Sequence, residues 1–311
     1  MPAFGYTMMC EQARPDQLVR HVQLAEDAGF DFSVTSDHYQ PWLEAQGHSG
    51  YAWSILGAAA QATTRIPLMT YVTCPTIRYH PAVVAQKAAT MQILSQGRFR
   101  LGLGAGENLN EHVVGERWPA VGVRHEMLEE ALDIISGLFD GDTMSYRGNH
   151  FDVESARLWD LPDQRVPIGL AVSGRRSCRL AGERADLMVA TEPKAQLGDL
   201  VDAAGGRGKP RVGQVAVAYD PDRDTAVARA RAVPVVRPRL EGQRGPARPG
   251  LLRGGDAVRD PRPGGRAAVL WAGRAGARRQ DPTVRRRRLH RDRARADRRG
   301  APGGVHRLGR A

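Results

Sequence analysis

The residues best suited to chemistry lie in the segment Ser36–Trp42, which reads Ser-Asp-His-Tyr-Gln-Pro-Trp. An imidazole titrates near neutral pH, so His38 offers a general base. Asp37 beside it could set the tautomer of the imidazole or bind a ligand, and Trp42 supplies an aromatic wall. A capped turn with a packed tryptophan would use the same residues, and the local sequence leaves both interpretations open.

Glycines dominate a second segment, Gly102–Glu107, with the pattern GxGxGE. This is not the GxGxxG dinucleotide fingerprint, and the acidic residue expected at the end of a second strand is absent. Glycines at a strand end let a planar or phosphate ligand approach the backbone, although a plain turn has the same composition. Asn110, Glu111 and His112 follow, but no second histidine stands at helical spacing, so we predict no metal site.

A third segment, Ser173–Arg176, joins a predicted strand to a predicted helix. The N–H groups of a helix start bind anions, and the arginines add positive charge, so we expect an anion site or a solvated loop here. Lys194 follows the next strand and is a further candidate contact to an anion. Arg78 and Arg124 either reach a phosphate or lie on solvated faces.

The elements that position these segments alternate between strand and helix patterns. A β-hairpin is predicted over Met144–Val153, from Gly148 and Asn149 between two strand-like runs. In the first helix, Arg14–Gly29, we expect Leu18, Val22, Leu24 and Ala28 to face the core. The remaining predicted strands number seven, at Phe4–Met8, Asp31–Thr35, Ile66–Val72, Phe99–Leu103, Pro167–Val172, Ala185–Ala190 and Arg211–Ala218.

Strands that alternate with helices predict an α/β fold with a parallel sheet. Polar residues stand at the C-terminal ends of several of these strands, at Glu11, Asp37-His38, Thr73-Cys74, Glu107 and Ser173-Gly174. A (β/α)8 barrel assembles its active site in this way. Because we count about seven βα units, the sequence predicts an incomplete barrel.

The last quarter of the chain has a different composition from the rest. Residues 232–311 hold 22 arginines, no lysine and 6 acidic residues, a net charge of +16, so that residues 1–231 carry −5 of the total +11. Such a segment builds no packed core and should be largely disordered. We therefore divide the chain into an enzyme-like domain, 1–231, and an Arg/Gly/Pro-rich tail, 232–311.

Three interpretations of this tail remain open. It is a solvated tail, an arm that binds nucleic acid through its arginines, or the product of a GC-rich gene read out of frame. Trp271 is its only aromatic residue, which disfavours stacking on bases, so we regard a nucleic-acid partner as the weaker alternative. The chain has three cysteines at no metal-like spacing, no long apolar run and no signal-peptide pattern, so we expect a cytoplasmic protein.

Four stretches in this order resemble the luciferase-like family of flavin- and deazaflavin-dependent barrels. Within it, the chain is similar to the coenzyme F420-dependent glucose-6-phosphate dehydrogenase group. The stretches are SDHYQPW at Ser36–Trp42, TCPTIRYHPAVVAQ at Thr73–Gln86, LGLGAGENLNE at Leu101–Glu111, and Val172–Gly182. The resemblance covers residues 3–231 and implies a small-molecule substrate, coenzyme F420 and a homodimer.

The resemblance also implies a role for each site residue. His38 would take the hydroxyl proton of the substrate as hydride leaves for the deazaflavin, Glu107 would act as an acid near the ring, and Trp42 would stabilise the reacting carbon. Glu11 matches another active-site carboxylate, and Lys194 matches a substrate-phosphate contact. The residues that would bind the cofactor are Asp37, Tyr71, Val72, Cys74, Gly106, Glu107, Asn110, Ser173, Gly174 and Arg175, and the Tyr71–Val72 peptide bond is cis in relatives.

Departures from the family pattern leave the substrate open. Only Lys194 matches the three basic residues that hold the sugar phosphate in relatives, and Cys74 replaces a threonine. Glucose 6-phosphate is therefore one candidate beside other alcohols, and an FMN-dependent monooxygenase is the alternative within the family. Leu289–Arg299 reads as a frame-shifted version of the family's last strand, which would leave the barrel open and predicts a protease-sensitive tail and little or no dehydrogenase activity.

Overall fold

The computed structural model of the 311-residue chain describes residues 2–232 and the two-residue strand Ala268–Val269. Seven parallel strands form one sheet in the order β1-β2-β3-β4-β7-β8-β9. Each strand pairs with the next one in this order, as expected of a curled α/β sheet. The strands are β1 (Gly5–Met8), β2 (Phe32–Thr35), β3 (Leu68–Thr70), β4 (Phe99–Leu103), β7 (Ile168–Ala171), β8 (Leu187–Ala190) and β9 (Arg211–Gly213).

Helices connect successive strands of this sheet. They are α1 (Pro15–Ala28), α2 (Ala52–Ala62), α3 (Pro81–Leu94), α4 (Asn108–Glu111), α5 (Val121–Phe139), α6 (Arg175–Arg184) and α7 (Ala195–Val201). Short 3-10 turns cover Glu44–Gln46 and His112–Val114, and a π-helical turn covers Asp202–Gly206. An antiparallel hairpin, β5 (Met144–Arg147) and β6 (Asp152–Ala156), interrupts the alternation after α5. The predicted α/β fold with seven parallel strands and one hairpin is confirmed.

The core lies between the sheet and its helices. Its largest fully buried side chains include Phe99, Leu56, Leu132 and Ile135. At Gly102 in β4, an added Cβ would collide with the Thr70 carbonyl oxygen of β3, so close strand packing requires glycine there. Packing within the sheet, without any ligand, therefore explains one of the glycines of the Gly-rich segment.

The predicted core face of α1 is wrong at two positions. Leu18, Val22 and Ala25 are buried, whereas Leu24 is 54% exposed and Ala28 is exposed. At 3.6 residues per turn, Leu24 lies about 120° around the helix axis from Leu18, which places it off the buried stripe. Hydrophobicity alone suggested Leu24, and the helical period excludes it.

The described chain divides into two compact units, of which the larger contains residues 2–216 and the smaller contains residues 217–231. The smaller unit contains β10 (Val217–Ala218) and all but the last residue of α8 (Arg223–Ala232), and β11 is Ala268–Val269. Asp222 caps α8 by accepting from the Thr225 N–H. Our interpretations of the arginine-rich tail, including the frame-shifted strand at Leu289–Arg299, lie outside the described residues. In the described part, no helix has the length and apolar character needed to cross a membrane.

Candidate active site

The C-terminal ends of β1 and β2 bring a carboxylate and an imidazole into contact. Glu11 follows β1 and is 1% exposed, and its Oε1 lies 2.5 Å from Nδ1 of His38, which follows β2. Ser36 donates a hydrogen bond of 2.7 Å to the same carboxylate oxygen. Adjacent parallel strands end at one edge of the sheet, so residues 25 to 27 positions apart in sequence form one polar cluster.

The electrostatics of this cluster favour a charged carboxylate. Burial raises the pKa of Glu11, but the hydrogen bonds and charge of His38 and the hydrogen bond of Ser36 outweigh burial, so the pKa lies below its ordinary value. The other carboxylate oxygen, Oε2, is buried and has no hydrogen-bond partner among the described residues. Such an orphaned acceptor is uncommon in a folded protein and indicates a place for a ligand or water.

Two of the other predicted catalytic residues lie around His38. The indole of Trp42 meets the imidazole edge-on, with ring centroids 5.4 Å apart. Glu107, directly after the Gly-rich strand end, is exposed to solvent although many protein atoms surround it. This partial desolvation raises the pKa of Glu107, His38 opposes the rise, and the charge of Glu11 adds to it. A carboxyl with a raised pKa retains its proton to a higher pH, as a general acid requires.

Asp37 has a different environment from the one we expected. Its carboxylate is buried and accepts from the Trp53 indole at 2.9 Å, the Thr73 hydroxyl at 2.8 Å, the Tyr79 hydroxyl at 3.1 Å and the Arg78 guanidinium at 3.3 Å. The partner that faces the His38 imidazole is Glu11, so the alternative that Asp37 sets the His38 tautomer is wrong. Four protein donors leave the Asp37 carboxylate little capacity for a ligand.

The predicted ring-binding residues after β3 and β4 lie close together. The Tyr71–Val72 peptide bond is cis, as the resemblance implies, and the Tyr71 hydroxyl donates to the Ala190 carbonyl at 2.8 Å. Cys74 Sγ lies 3.1 Å from the Thr76 hydroxyl, and burial raises the pKa of this thiol to about 12. A Cβ at Gly106, which has φ of +77°, would stand 2.5 Å from Cys74 Sγ, so both the backbone conformation and the packing require glycine.

The predicted phosphate site at the start of α6 is folded but open. Ser173 and Arg175 are exposed, and the backbone N–H groups of Ser173 and Gly174 donate to the Ser177 hydroxyl at 3.0 and 3.2 Å. Sequence reasoning missed Ser177, although a serine three residues into a helix is a recognisable capping signal. Two of the N–H groups that we expected to bind phosphate are thus bonded within the protein.

The other basic candidates have protein partners. Arg78 is 93% buried by its side chain and pairs with Asp37 and Glu111, so its assignment to a phosphate or a solvated face is wrong. The guanidinium of Arg124 is also buried and lies 4.1 Å from the centroid of the Trp118 ring. Lys194 is exposed and lies 3.2 Å from the Glu192 carboxylate. Asn110 is buried, and its Oδ1 accepts from the backbone of Tyr39 and Gln40.

Comparison with known proteins identifies the family. The sequence profile of the luciferase-like monooxygenases matches residues 2–305. An F420-dependent glucose-6-phosphate dehydrogenase of Microbacterium testaceum is 39% identical over 240 residues, which cover 73% of this chain and 71% of the relative. An F420-dependent hydroxymycolic acid dehydrogenase of Mycobacterium tuberculosis is 42% identical over 199 residues, 64% of this chain and 54% of the relative.

Solved structures agree with the sequence relatives. An F420-dependent secondary alcohol dehydrogenase in complex with an F420-acetone adduct superposes with a TM-score of 0.69 and 33% identity, covering 74% of this chain and 73% of that one. A coenzyme F420-dependent tetrahydromethanopterin reductase from Methanopyrus kandleri, at 20% identity and a TM-score of 0.62, shares the fold. The predicted barrel-type fold, oxidoreductase class and deazaflavin cofactor agree with these relatives. The chain belongs to the luciferase-like monooxygenase family.

Proposed function

We propose that this chain is an F420-dependent oxidoreductase that oxidises a substrate hydroxyl to a carbonyl, with the hydride passing to the deazaflavin. The observation that carries the proposal is the buried contact between Glu11 and His38 at 2.5 Å. Removing a hydride from an alcohol carbon requires a base for the hydroxyl proton, and an imidazole oriented by a carboxylate supplies one.

The residues present fit an anionic, planar cofactor. Gly174 has an extended backbone, φ −158°, and an added Cβ there would meet nothing within 4 Å. The fold of the chain itself therefore does not require glycine at 174, whereas a ligand that approaches this helix start would. In the described chain, Arg175 takes no part in the ion pairs that join Arg176, Arg179 and Arg184 to acidic side chains of α5 and α6. Its charge is available to a phosphate.

The geometry of these side chains supports a proposed proton path. Because Nδ1 of His38 faces Glu11, the opposite ring nitrogen, Nε2, is the one left to accept the hydroxyl proton. Glu11, charged because its pKa is lowered, stabilises the imidazolium that results. Trp42 packs edge-on against the ring and fixes its orientation. Glu107, whose pKa is raised, retains a proton and is the proposed acid near the deazaflavin ring. Bound deazaflavin supplies the hydride acceptor.

The substrate class follows from the hydroxyl chemistry. The named relatives act on glucose 6-phosphate, a hydroxymycolic acid or a secondary alcohol, all of which carry a C–OH group. Lys194, the residue proposed to contact the substrate phosphate, is 65% exposed and forms an ion pair with Glu192. An exposed pair of this kind contributes little and leaves the lysine accessible. Glucose 6-phosphate therefore stays a candidate beside secondary alcohols.

The test separates cofactor binding from turnover. The full-length chain is titrated with F420 and, in parallel, with FMN, and binding is followed by the fluorescence of each cofactor. We expect saturable binding of F420 and weaker binding of FMN. Loss of the oxidised deazaflavin absorbance is then measured with glucose 6-phosphate and with a secondary alcohol. Tighter binding of FMN than of F420 would contradict the proposal and favour the monooxygenase alternative.

A further inference from the structure

Two buried ionic residues, Arg78 and Glu111, have no part in the proton path described above. They are 93% and 98% buried by their side chains, and the Arg78 guanidinium also lies over the Tyr79 ring, 4.7 Å from its centroid. Burial raises the pKa of Glu111, and Arg78 opposes that rise. A buried ion pair adds little net stability, so its presence asks for another explanation.

Arg78 contacts the segment that carries His38, and Glu111 contacts Arg78. Arg78 Nη2 donates to the backbone oxygen of Asp37 at 2.6 Å, immediately before the histidine. Glu111 holds Arg78 in place, since its carboxylate accepts from the Arg78 backbone N–H at 2.9 Å and lies 3.6 Å from the guanidinium Nε.

The residues that follow His38 are bound by α4, the short helix that also carries Glu111. Asn110, the residue before Glu111 in α4, accepts from the backbone N–H groups of Tyr39 at 2.9 Å and Gln40 at 3.2 Å. The backbone oxygen of His38 itself accepts from the Ser49 hydroxyl at 3.1 Å. Side chains therefore bind the backbone at each of the positions 37 to 40.

Glu107 is the N-cap of α4, the helix that carries Asn110 and Glu111. The carboxyl proposed as acid and the imidazole proposed as base are thus joined through one hydrogen-bonded turn, although they are 69 positions apart in sequence. Buried hydrogen bonds to charged groups are strong, and fixed geometry of reacting groups contributes substantially to catalysis.

We infer that Arg78 and Glu111 are positioning residues that, with Asn110, hold the His38 segment on α4 and so fix the base relative to Glu107. The inference rests on the proposed function for its catalytic meaning, while the mechanical part stands on contacts alone. Arg78 acts through the backbone of Asp37 and does not itself touch the reacting atoms.

The test compares two arginines that bind backbone oxygens, in the full-length chain. Arg98 also binds backbone oxygens, those of Ala60, Thr63 and Ile66, at 2.7 to 3.0 Å, and it serves as the matched control. Arg78→Lys keeps the charge but lacks the planar fork that reaches Asp37. In hydrogen–deuterium exchange, we expect the peptide of residues 37–42 to exchange about tenfold faster in Arg78→Lys, because a charge-assisted hydrogen bond is lost. Arg98→Lys should leave that peptide unchanged.

A second variant keeps the test decisive if Arg78→Lys does not fold. Glu111→Gln retains an acceptor for the Arg78 N–H and removes the charge that holds the guanidinium, so the same peptide should exchange faster. Unchanged exchange in the folded variants would overturn the inference. In turnover, kcat should fall while KM and the Kd for F420 stay nearly constant. Exchange does not depend on His38 being the base, so failure of the proposed function and failure of this inference are distinguishable.

Discussion

The two halves of the candidate site differ in how completely the protein bonds them. At the ends of β1, β2 and β4, Glu11, Asp37, Asn110 and Glu111 are at most 3% exposed, and most of their polar atoms have protein partners. At the end of β7, Ser173 and Arg175 are exposed, and Ser177 caps the turn. Contacts within the protein therefore hold the side chains of the first half in place. The second half has an exposed positive charge, at Arg175, and open space in front of Gly174.

This difference matches the chemistry that each half must perform. Proton transfer depends on donor and acceptor held within hydrogen-bond distance, which a mobile loop cannot provide. Binding an anion at a helix start depends on positive charge and on open space for the ligand, and Arg175 and Gly174 provide these. Mutations in the first half should therefore change the rate of reaction, and mutations in the second half should change cofactor affinity.

The largest effect is expected at His38. His38→Ala removes the proposed base, so kcat should fall by about 10²–10⁴ while the Kd for F420 stays nearly constant. In the chain with its reading frame restored, which the predicted loss of activity makes necessary, single-turnover reduction of the cofactor measures the first quantity and a fluorescence titration measures the second. His21→Ala, on α1, is the control and should leave both unchanged. Near-normal turnover in His38→Ala would remove His38 from the mechanism.

The opposite pattern is expected at Gly174. Gly174→Val fills the space in front of α6 and obstructs the approach of the cofactor phosphate, so the Kd for F420 should rise by about 10-fold or more, which corresponds to about 1.4 kcal/mol. Gly122→Val is the matched control, because Gly122 also stands at a helix start and its added Cβ likewise meets nothing within 4 Å. Equal F420 affinity in Gly174→Val and the parent chain would place the cofactor phosphate elsewhere.

Much of this architecture could be predicted from the sequence. The strand Phe99–Leu103 matches its predicted bounds, because a hydrophobic pattern is a local signal. His38 and Glu11 were also found locally, since each follows a predicted strand. The error at Leu24 came from counting hydrophobic residues without the helical period.

The contacts between distant segments could not be predicted in this way. An arginine ordinarily lies on the protein surface, so the sequence does not indicate that Arg78 is buried. Its partners, Asp37 and Glu111, are 41 and 33 positions away in sequence, and only the packing of α4 against the loop after β2 brings them to it. The contact of Glu11 with His38 likewise depends on the parallel register of β1 and β2. The residue types identify His38 as the candidate base. The register of the two strands determines that Glu11, and not Asp37, is the carboxylate that contacts its imidazole.

A smaller effect on affinity is expected at Arg175. Arg175→Gln removes a charge that is exposed, so the Kd for F420 should rise by about three- to fivefold at low salt, corresponding to roughly 0.5–1 kcal/mol, and the effect should shrink as salt is added. Arg176→Gln is the control, because Arg176 pairs with Glu129 at 3.1 Å. If Arg176→Gln weakens binding as much as Arg175→Gln, general positive charge of α6 is responsible and not a local contact.

The smallest effect, on stability, is expected at Glu11. Because the pKa of Glu11 is lower in the folded chain than its ordinary value of 4.5, its charged form stabilises the fold above about pH 4.5. That contribution is lost as the pH falls through the folded pKa, when the carboxylate is protonated and the contact with His38 weakens. Burial opposes the charge, so the net contribution is small. The difference in the free energy of unfolding between the parent and Glu11→Gln, from urea titrations, should therefore be present at pH 7 and become smaller below pH 4.5.

The control in the half of the site at α6 is Arg175→Gln. Its difference in the free energy of unfolding should not become smaller below pH 4.5, because arginine does not titrate in this range. A difference for Glu11→Gln that is constant from pH 7 to pH 3 would show that the carboxylate is not paired in solution and that the two halves do not differ in this respect.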